Sequence, residues 1–376
     1  MDLIVPKKDL LRLATRCQGV ADKKSAMPML ADVLLSAKGK RLFVAATDLY
    51  LGISGDTACD IATEGSVAVP AKDLVDRVKA MPDGPIQLLT NEAAQMTLKS
   101  VGNPRRYMLH GIPGTEFPQL PKPTEGAQSL ELPASMLAWL IAGTVFSISS
   151  DETRPNVNSG LFEWMGDTIR MVSTDGHRLS KAEATIVGLK ANATMLIPLK
   201  AIGELRRLAE EARTDKDAPT VKVTQSQPNA FFEIAGMTFS VKLVDAQFPP
   251  YQQVIPAKSD NSIVVPRAAL RDALKAISLA ANEETGGVKL TASSGTLRIT
   301  SESPESGNGF DELSVDYNGP ELTIGFNAKY VLDILDAIEA DEVSLGVSGE
   351  LDPMVVRPGA ESEGHAYLGV CMPLRL

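Results

Sequence analysis

Apolar side chains recur at intervals of three and four residues in two stretches of each third of the chain. These stretches cover residues 9–18 and 72–81, residues 134–148 and 200–213, and residues 267–282 and 328–340. Such spacing places the apolar side chains on one face of a helix and the polar side chains on the other. The pattern therefore predicts two amphipathic helices in each third.

Short runs of branched and aromatic residues between these helices predict strands. They cover residues 29–35, 41–47, 86–89, 96–99 and 107–109, then 160–163, 169–173, 221–223 and 238–243, and finally 288–292, 296–300 and 342–347. A further apolar strand is expected at the start of each third. Polar loops are expected at 19–25, 149–158 and 301–309. The succession indicates an α+β fold in which each domain packs two helices on antiparallel sheet.

Two landmarks repeat along the chain at intervals of about 130 residues. The pairs Val5-Pro6, Leu132-Pro133 and Val265-Pro266 precede the first helix of each third, and Val69-Pro70, Ile197-Pro198 and Gly325-Phe326-Asn327 precede the second. Solenoid units run only about 20 to 50 residues, so this period indicates a whole domain present three times. We predict domains at 1–120, 129–252 and 262–376, with proline-rich linkers at 118–128 and 249–261.

Composition narrows the class of protein. The chain has 376 residues, 44% of them hydrophobic, so each of three domains can bury a core. It has no apolar run of about 18 residues and no signal-peptide pattern at its start. Cys17, Cys59 and Cys371 are far apart and lack metal-ligand spacing. We therefore expect a cytoplasmic protein with reduced thiols, and neither a metal nor a cofactor.

The segment Thr174-Asp175-Gly176-His177-Arg178-Leu179 is the densest group of potentially catalytic side chains. A hydrolase could use Asp175 and His177. However, Asp-Gly is typical of a turn, and Thr47-Asp48-Leu49 stands at the equivalent place in the first third. A shared turn explains both segments, and the common nucleotide-binding and hydrolase motifs are missing, so we expect a protein without enzymatic activity.

The net charge of -10 disfavours a nucleic-acid partner, because phosphates are contacted by Lys and Arg. Charge is screened over about 8 Å, however, so an acidic exterior can coexist with a basic interior. Lys8, Arg12 and Arg16 share one helix face, and Arg267, Arg271 and Lys275 repeat the pattern. A basic stripe is usually a solvated surface. If the repeats surround an axis, the two stripes instead line one cavity, diluted by Glu204, Glu211, Asp333 and Asp336.

Several segments together resemble the bacterial sliding clamps, the β subunits of DNA polymerase III. They are Ser-Thr-Asp-Gly-His-Arg-Leu at 173–179, residues 242–245, 248–251, 325–327, 330–333 and 372–376, and the pair Phe117-Pro118. The resemblance implies the DNA clamp fold, with three repeated domains per subunit and a head-to-tail homodimer that closes a ring around double-stranded DNA. It also implies a non-catalytic, sequence-independent processivity factor, located in the cytoplasm and associated with the nucleoid during replication.

The implied partners are the DNA polymerase III catalytic subunit, the clamp loader and other proteins with a clamp-binding motif. In this family they insert a short peptide into a cleft, here called the partner-peptide cleft. The matching positions are Val157, Thr174, Gly176, His177, Arg178, Leu179, Pro249, Val254, Val370, Met372, Arg375 and Leu376. Arg178 is expected to place a charge at the rim. Without the resemblance, these apolar residues would be taken to pack a domain junction.

The same likeness implies two further sets of residues. The DNA-binding positions are Lys24, Lys72, Arg154 and Lys200, and the dimer-interface positions are Arg105, Tyr107, Leu109 and Leu279. Arg105 and Arg106 are expected to face Glu302 and Glu305 across the interface. The chain departs from the family at Gln253, where some members carry Arg, so one cationic contact at the rim is expected to be missing. Val157 is smaller than the usual Leu, and residues 369–371 replace a bulkier strand end, so the cleft is expected to be slightly wider or to prefer a different anchor.

A clamp is one of three functions that the sequence leaves open. The second is a three-repeat protein-interaction scaffold that never contacts DNA, and the third is the hydrolase based on Asp175 and His177. Reversal of charge in the basic stripes separates the first from the second, since only a clamp needs those cations to bind DNA.

Overall fold

The regular elements follow the same order in each third of the chain: a strand, a helix, several strands, a second helix and further strands. The computed structural model describes residues 1–22, 25–188, 192–214, 219–304, 306–360 and 363–375. In the first third the elements are β1 (Asp2–Pro6), α1 (Lys7–Gln18), β2 (Asp32–Lys38), β3 (Arg41–Thr47), β4 (Leu51–Ala58), β5 (Asp60–Thr63), β6 (Gly65–Pro70), α2 (Ala71–Ala80), β7 (Pro85–Thr90), β8 (Gln95–Ser100), β9 (Arg106–His110) and β10 (Ile112–Pro113).

The middle third contains β11 (Gln128–Pro133), α3 (Ala134–Ala142), β12 (Ser159–Met165), β13 (Thr168–Thr174), β14 (Arg178–Thr185), β15 (Ala193–Pro198), α4 (Leu199–Arg213), β16 (Thr220–Ser226), β17 (Asn229–Ile234) and β18 (Met237–Lys242). The last third contains β19 (Asn261–Pro266), α5 (Arg267–Ile277), β20 (Gly287–Ser293), β21 (Thr296–Ser303), β22 (Gly307–Ser314), β23 (Leu322–Asn327), α6 (Ala328–Asp336), β24 (Glu342–Val347), β25 (Met354–Pro358) and β26 (His365–Cys371). Short 3-10 helices lie at Pro28–Ala31, Gly114–Glu116, Val145–Ser147, Tyr251–Gln253 and Ser278–Ala280.

Each helix begins directly after a strand, at the proline landmarks that the sequence repeats. Pro6, for example, ends β1 with φ -61° and ψ 132°, and α1 begins at the next residue. Proline fixes φ near this value and has no N–H to leave unpaired, so it suits the boundary between a strand and a helix. Before α6 the same position is Asn327, whose side chain accepts hydrogen bonds from the backbone N–H groups of Lys329 and Tyr330.

The chain divides into two compact units. The first contains Met1–Ser135 and Arg207–Leu243, and the second contains Met136–Arg206 and Val244–Leu376. The middle third therefore contributes to both.

In the first unit, one sheet runs through strands from two thirds of the chain. Its nine strands have the order β10-β6-β2-β3-β4-β18-β17-β16-β11, and they pair antiparallel. The pairing of β4 with β18 joins the first third to the middle third. A second sheet has the order β5-β1-β7-β8-β9. On α1, Leu10, Ala14 and Cys17 are fully buried, which confirms the predicted apolar face.

The second unit repeats this plan. Its eight-stranded sheet has the order β15-β12-β13-β14-β26-β25-β24-β19, again antiparallel. The pairing of β14 with β26 joins the middle third to the last third. A four-stranded sheet has the order β22-β21-β20-β23. In both units, two repeats thus share a continuous sheet, and the α+β prediction is confirmed.

Three predicted helices are shorter than expected, and one predicted loop is a hairpin. The helix predicted at 134–148 ends at Ala142, because Gly143 follows and the Thr144 hydroxyl donates to the Leu140 carbonyl. The helices predicted at 267–282 and 328–340 end at Ile277 and Asp336. The loop predicted at 301–309 is wrong, since residues 301–303 and 307–309 belong to β21 and β22. Ser301 is buried and donates to the Gly287 carbonyl, a role that its polar character concealed.

None of the helices in the described part of the chain combines the length and the apolar character needed to span a membrane.

Candidate functional site

A tight turn between β13 and β14 carries the polar segment that the sequence singled out. The Thr174 hydroxyl donates to the Arg178 carbonyl at 2.7 Å and accepts from the Gly176 N–H at 3.1 Å. Asp175 Oδ1 accepts from the N–H groups of His177 and Arg178 at 2.9 and 3.0 Å. Gly176 has φ +95°, a region that favours glycine. Asp175 thus acts as a turn residue, as the sequence predicted.

Arg178 is not the exposed rim charge that the sequence predicted. Its side chain is only 9% exposed, and it forms ion pairs with Asp175 at 3.0 Å and with Asp333 at 2.5 Å. The guanidinium also donates to the Phe146 carbonyl and lies 4.5 Å from the centroid of the Tyr330 ring. A buried arginine is stable only with such partners, so its role is to fix the turn to α6. The expectation that Arg178 places a charge at the rim of the cleft is therefore wrong.

An apolar cluster lies beside this turn. It brings together two predicted cleft residues, Leu179 and Val370, which are paired across β14 and β26. The other buried members of the cluster are Leu161, Val172, Leu196, Tyr251, Val355 and Leu368. Val244, Phe248 and Ile255 are partly buried and pack against it. The cluster has an accessible margin as well as a buried floor, which is a suitable surface for an apolar anchor.

Tyr251 connects this cluster to a polar network on the sheet. It lies in the short helix between Pro249 and Val254, and only 4% of it is exposed. Its hydroxyl donates to Glu163 Oε2 at 3.3 Å and accepts from Arg170 at 3.2 Å. Burial raises the pKa of the Tyr251 hydroxyl. The predictions did not include Tyr251, although it ends the 248–251 segment that supports the family resemblance.

The other predicted cleft residues differ in exposure. Val254 is 41% exposed, whereas Val157 is 1% exposed. The Met372 N–H donates to the His177 carbonyl at 2.9 Å, which ties the end of the chain to the turn. His177 stacks on Tyr330 with 6.3 Å between ring centroids. Arg375 is exposed, and Leu376 lies outside the described residues.

The predicted DNA-binding residues lie at different kinds of position. Lys72 and Lys200 are exposed and occupy the second positions of α2 and α4, as predicted for residues that begin helices. Arg154 is exposed in the 149–158 loop, and its Nη2 lies 4.0 Å from where a Cβ on Gly176 would stand. Arg154 is therefore next to the cleft turn. Lys24 lies outside the described residues.

The basic stripes are largely neutralised by the protein itself. Arg16 is buried, with both guanidinium edges engaged: it contacts Glu211 at 2.8 and 3.2 Å and donates to the Ala235 carbonyl at 2.7 Å. Arg271 is paired with Asp336, and Arg267 donates to the Ala340 carbonyl at 2.9 Å. Two of the carboxylates that were expected to dilute the basic stripes, Glu211 and Asp336, thus pair directly with stripe arginines. Arg16 was expected on the surface, but it is buried because a carboxylate far away in the sequence pairs with it.

Three of the predicted dimer-interface residues lie in or beside β9, and the fourth, Leu279, lies in the short helix Ser278–Ala280. Tyr107 and Leu109 belong to β9, the edge strand of the five-stranded sheet, but Leu109 is 2% exposed within its own subunit. Met108, which was not predicted, is 53% exposed. Leu279 is 84% exposed, and the Arg105 guanidinium donates to the Ala80 carbonyl. Glu305 lies outside the described residues.

The side chains that commonly bind metal ions do not cluster in the described residues. These residues contain no group of three or more His, Cys, Asp or Glu side chains placed to hold a metal ion. Cys17, Cys59 and Cys371 are free thiols, and burial raises the pKa of Cys371 to about 12. A thiol with that pKa remains protonated at neutral pH and is a poor nucleophile.

Comparison with known proteins assigns the family. Profiles of the DNA polymerase III beta subunit match the chain over its N-terminal domain at residues 1–121, its central domain at 131–250 and its C-terminal domain at 252–375. The Beta sliding clamp of Pseudomonas aeruginosa is 31% identical over 378 residues, which cover 100% of both chains.

Solved structures agree with this match. A crystal structure of the DNA polymerase III subunit beta from Pseudomonas aeruginosa has a TM-score of 0.92 and 31% identity, and it covers 100% of both chains. A structure of the C. crescentus beta sliding clamp, with polyethylene glycol at the region named for beta-motif tethering, has a TM-score of 0.91 and 29% identity over 100% of both chains. The chain therefore belongs to the DNA polymerase III beta subunit family, with the three-domain clamp fold, and functions as a DNA sliding clamp, a processivity factor that catalyses no reaction.

Proposed function

We propose that this clamp holds its partner proteins through the partner-peptide cleft of the second unit. The observation that supports the proposal best is the apolar cluster around Leu179, Val370 and Tyr251, beside the exposed Val254. An extended peptide with an apolar side chain would place that side chain against this cluster, and the flexible Met372 can adapt to different anchors. The partners are the DNA polymerase III catalytic subunit, the clamp loader and other proteins with a clamp-binding motif.

The likeness to the C. crescentus clamp supports this location. That protein holds polyethylene glycol at the region named for beta-motif tethering. Arg154 and Arg375 supply exposed cations near the cleft turn and at the chain end of this protein, where they would attract an acidic residue of the peptide. The peptide would therefore be apolar at its anchor and acidic beside it.

Duplex DNA is held by a small number of cations. Lys72 and Lys200 each lie in the first turn of a helix, where the backbone N–H groups also favour an anion. Together with Arg154 and Lys24 they would contact phosphates, which positions DNA without reading its sequence. Arg16, Arg267 and Arg271 bind groups of their own chain, so they are less available to phosphates. The clamp therefore contacts DNA more weakly than it would with two complete basic stripes, and weak contact suits sliding.

Two copies of the chain form the ring, joined head to tail. The strands β9 and β22 are sheet edges that need a partner or protection. Exposed apolar side chains accompany both edges: Met108 is 53% exposed on β9, and Phe310 is 63% exposed on β22, near Leu279. A heterologous contact of β9 with β22 of a second copy closes after two subunits. The three domains span 1–120, 129–252 and 262–376, and the ring acts in the cytoplasm at the nucleoid.

Peptide binding tests the cleft. The probe is a fluorescein-labelled peptide from the clamp-binding segment of the DNA polymerase III catalytic subunit. Met372→Asp, or deletion of residues 375 and 376, should weaken its affinity at least about tenfold, because burial of a carboxylate in an apolar site is unfavourable. Met165→Asp is a matched control, since Met165 is 51% exposed elsewhere in the second unit. An unchanged affinity in the Met372 variant refutes the assignment.

DNA retention tests the ring against the scaffold alternative. The clamp should persist on nicked circular DNA and leave linear DNA by its ends. Lys72→Glu combined with Lys200→Glu should reduce loading, and the loss should shrink as salt rises, because the variant makes fewer salt-sensitive phosphate contacts. A scaffold that does not contact DNA would show equal, weak retention on both substrates and no effect of the charge reversal.

A further inference from the structure

The turn that carries the partner-peptide cleft has a copy in the first unit, between β3 and β4. The Thr47 hydroxyl donates to the Leu51 carbonyl at 2.7 Å and accepts from the Leu49 N–H at 3.0 Å. Asp48 Oδ1 accepts from the N–H groups of Tyr50 and Leu51 at 2.9 and 2.6 Å. These four hydrogen bonds match those of residues 174–178 one for one, so Leu49 corresponds to Gly176 and Tyr50 to His177.

The neighbouring strand is attached in the same way in both copies. The Lys242 N–H donates to the Tyr50 carbonyl at 2.8 Å, as the Met372 N–H does to the His177 carbonyl at 2.9 Å. Behind the turn, Gly52 is paired with Ser240 in the register at which Leu179 is paired with Val370 in the second unit. Lys242 therefore occupies the position of Met372, a predicted contact of the partner peptide.

The copy in the first unit is exposed and apolar at its tip. Leu49 is 53% exposed and Tyr50 is 66% exposed. Leu49 has φ +76°, a backbone conformation that leucine rarely adopts. The turn therefore imposes this conformation on Leu49, whose side chain points outward. Adjacent exposed apolar side chains on a sheet end mark an interaction surface more often than isolated ones do.

A single cation and a linker side chain complete the surface. The Lys242 ammonium lies 5.5 Å from the centroid of the Tyr50 ring. Lys242 is exposed, and it forms no ion pair with a carboxylate of the described residues. The Leu120 side chain packs at Gly52, where it lies 3.1 Å from an added Cβ. We call Leu49, Tyr50, Leu120 and Lys242 the first-unit patch.

We propose that the first-unit patch is a second docking point for partner proteins, and that it takes an extended peptide segment with a carboxylate beside an apolar side chain. The apolar side chain contacts Leu49 and Tyr50, and the carboxylate pairs with Lys242. This inference rests on the proposed function of the partner-peptide cleft, because the matched turn identifies the kind of occupant. Gly52 and Ser240 replace Leu179 and Val370, so the patch lacks a deep apolar floor and binds at least about tenfold more weakly than the cleft.

A weak second contact becomes effective when the same partner already occupies the cleft. Linkage of two contacts in one partner raises the effective concentration at the second one to the millimolar range for short flexible linkers, so affinities multiply. The patch therefore favours partners with two peptide segments over partners with one.

Methyl NMR of the full-length dimer, with leucines labelled, tests the proposal. The probes are the capped pentapeptides Ac-Gly-Asp-Leu-Phe-Gly-NH2 and Ac-Gly-Lys-Leu-Phe-Gly-NH2. The acidic probe should shift the Leu49 and Leu120 methyl signals in a saturable manner, and the lysine probe should bind at least fivefold more weakly. Lys242→Glu should reverse this preference. Tyr50→Ala should abolish the shifts, whereas Phe43→Ala, at an aromatic residue 45% exposed on β3, should not.

The readouts separate this inference from the proposed function. Leu179 reports on the cleft, and Met372→Asp silences the cleft while it leaves the first-unit patch intact. A response at Leu179 with none at Leu49 overturns the second docking point alone. Equal binding of the acidic and lysine probes at Leu49 overturns it as well. No response at Leu179 to the polymerase peptide overturns the cleft, whatever happens at Leu49.

Discussion

At the scale of single residues, two arginines that the sequence presents as surface charges are buried structural elements. Arg16 and Arg178 are 5% and 9% exposed, and each contacts a carboxylate and a backbone carbonyl. Helical periodicity assigned Arg16 to a polar face, and the family resemblance assigned Arg178 to the rim of the cleft. Neither shows the partners Glu211 and Asp333, which are 195 and 155 residues away. Helical spacing reports on neighbours within a helix, and it contains no information about such distant contacts.

Arg178→Met should destabilise the second unit and weaken the cleft. The substitution leaves Asp175 and Asp333 without their cation in a partly buried place, which costs about 3 kcal/mol. Urea unfolding measures this loss, and peptide titration should show weaker binding because the turn is no longer fixed to α6. Arg298→Met is the control, since Arg298 pairs with Glu312 on the surface, where both side chains are nearly half exposed. Equal, small losses in the two variants would contradict the structural role of Arg178.

The pair of Arg16 and Glu211 predicts a pH dependence in the first unit. The hydrogen bond from Arg16 lowers the pKa of the Glu211 carboxyl, even though burial acts in the opposite direction. The folded state therefore favours the ionised form. The contribution of ionised Glu211 to the free energy of unfolding is fully present above the unfolded pKa of about 4.3. It is lost as the pH falls through the lower pKa of the folded state.

Glu211→Gln should thus be less stable than the original chain at pH 7, by about 1 to 2 kcal/mol, since Glu211 is nearly half exposed. The difference should shrink as the pH falls below about 4. Urea unfolding at a series of pH values measures it. Glu210→Gln, which alters the neighbouring surface pair with Arg213, is the control. A difference that stays constant with pH would exclude the ionised pair as its source.

At the scale of elements, proline landmarks were better guides than apolar content. The starts of the six helices follow from the residues that precede them, and β3 and β24 match their predicted ranges. Two of the strands that were missed, β4 and β22, are rich in Gly, Ser and Asp, which weakens the local signal for a strand. They are strands because neighbours on both sides or on one side pair with them, and tertiary pairing outweighs local propensity.

The residues of the candidate site also divide into those that the sequence predicted and those that it missed. Leu179, Val370 and Met372 were found through the family resemblance, and the pairing of β14 with β26 brings them together. Tyr251 and Tyr330 were missed because their roles depend on contacts between distant elements. A signal existed, since both belong to segments that support the resemblance.

Tyr251→Phe should weaken peptide binding while the fold persists. The ring stays in the apolar cluster, but the hydroxyl bonds to Arg170 and Glu163 are lost, so the short helix at Tyr251–Gln253 is less firmly held. We expect a three- to tenfold loss of affinity for the polymerase peptide, equivalent to about 0.7 to 1.4 kcal/mol.

Tyr317→Phe is the matched control, since its buried hydroxyl makes one hydrogen bond, to the Pro320 carbonyl, away from the cleft. Tyr251→Phe loses two hydrogen bonds and Tyr317→Phe loses one, so both variants should be somewhat less stable in urea than the original chain. Only Tyr251→Phe should change peptide affinity. Equal affinities in the two variants would show that Tyr251 supports the fold without positioning the cleft.

At the scale of the whole molecule, net charge is a poor guide to the partner. The chain has a net charge of -10, yet it belongs to a family of DNA clamps. Several cations are paired with carboxylates of the same chain, Arg16 with Glu211 and Arg271 with Asp336 among them. Encirclement resolves the conflict, because a closed ring remains on DNA through topology even where each contact is weak and screened by salt.

Leu279→Asp should convert the dimer into monomers. Leu279 is 84% exposed in the single subunit, and with Phe310, which is 63% exposed on the edge strand β22, it offers an apolar surface that a second copy would cover. A carboxylate there would be buried without a partner on assembly, a penalty that should weaken the dimer by about two to three orders of magnitude. Light scattering combined with size-exclusion chromatography measures the mass, and retention on nicked circular DNA should be lost in parallel. Leu351→Asp, at a residue 60% exposed in the same unit, should leave the dimer intact. If Leu279→Asp remains dimeric at micromolar concentration, the dimer interface lies elsewhere and does not include β22.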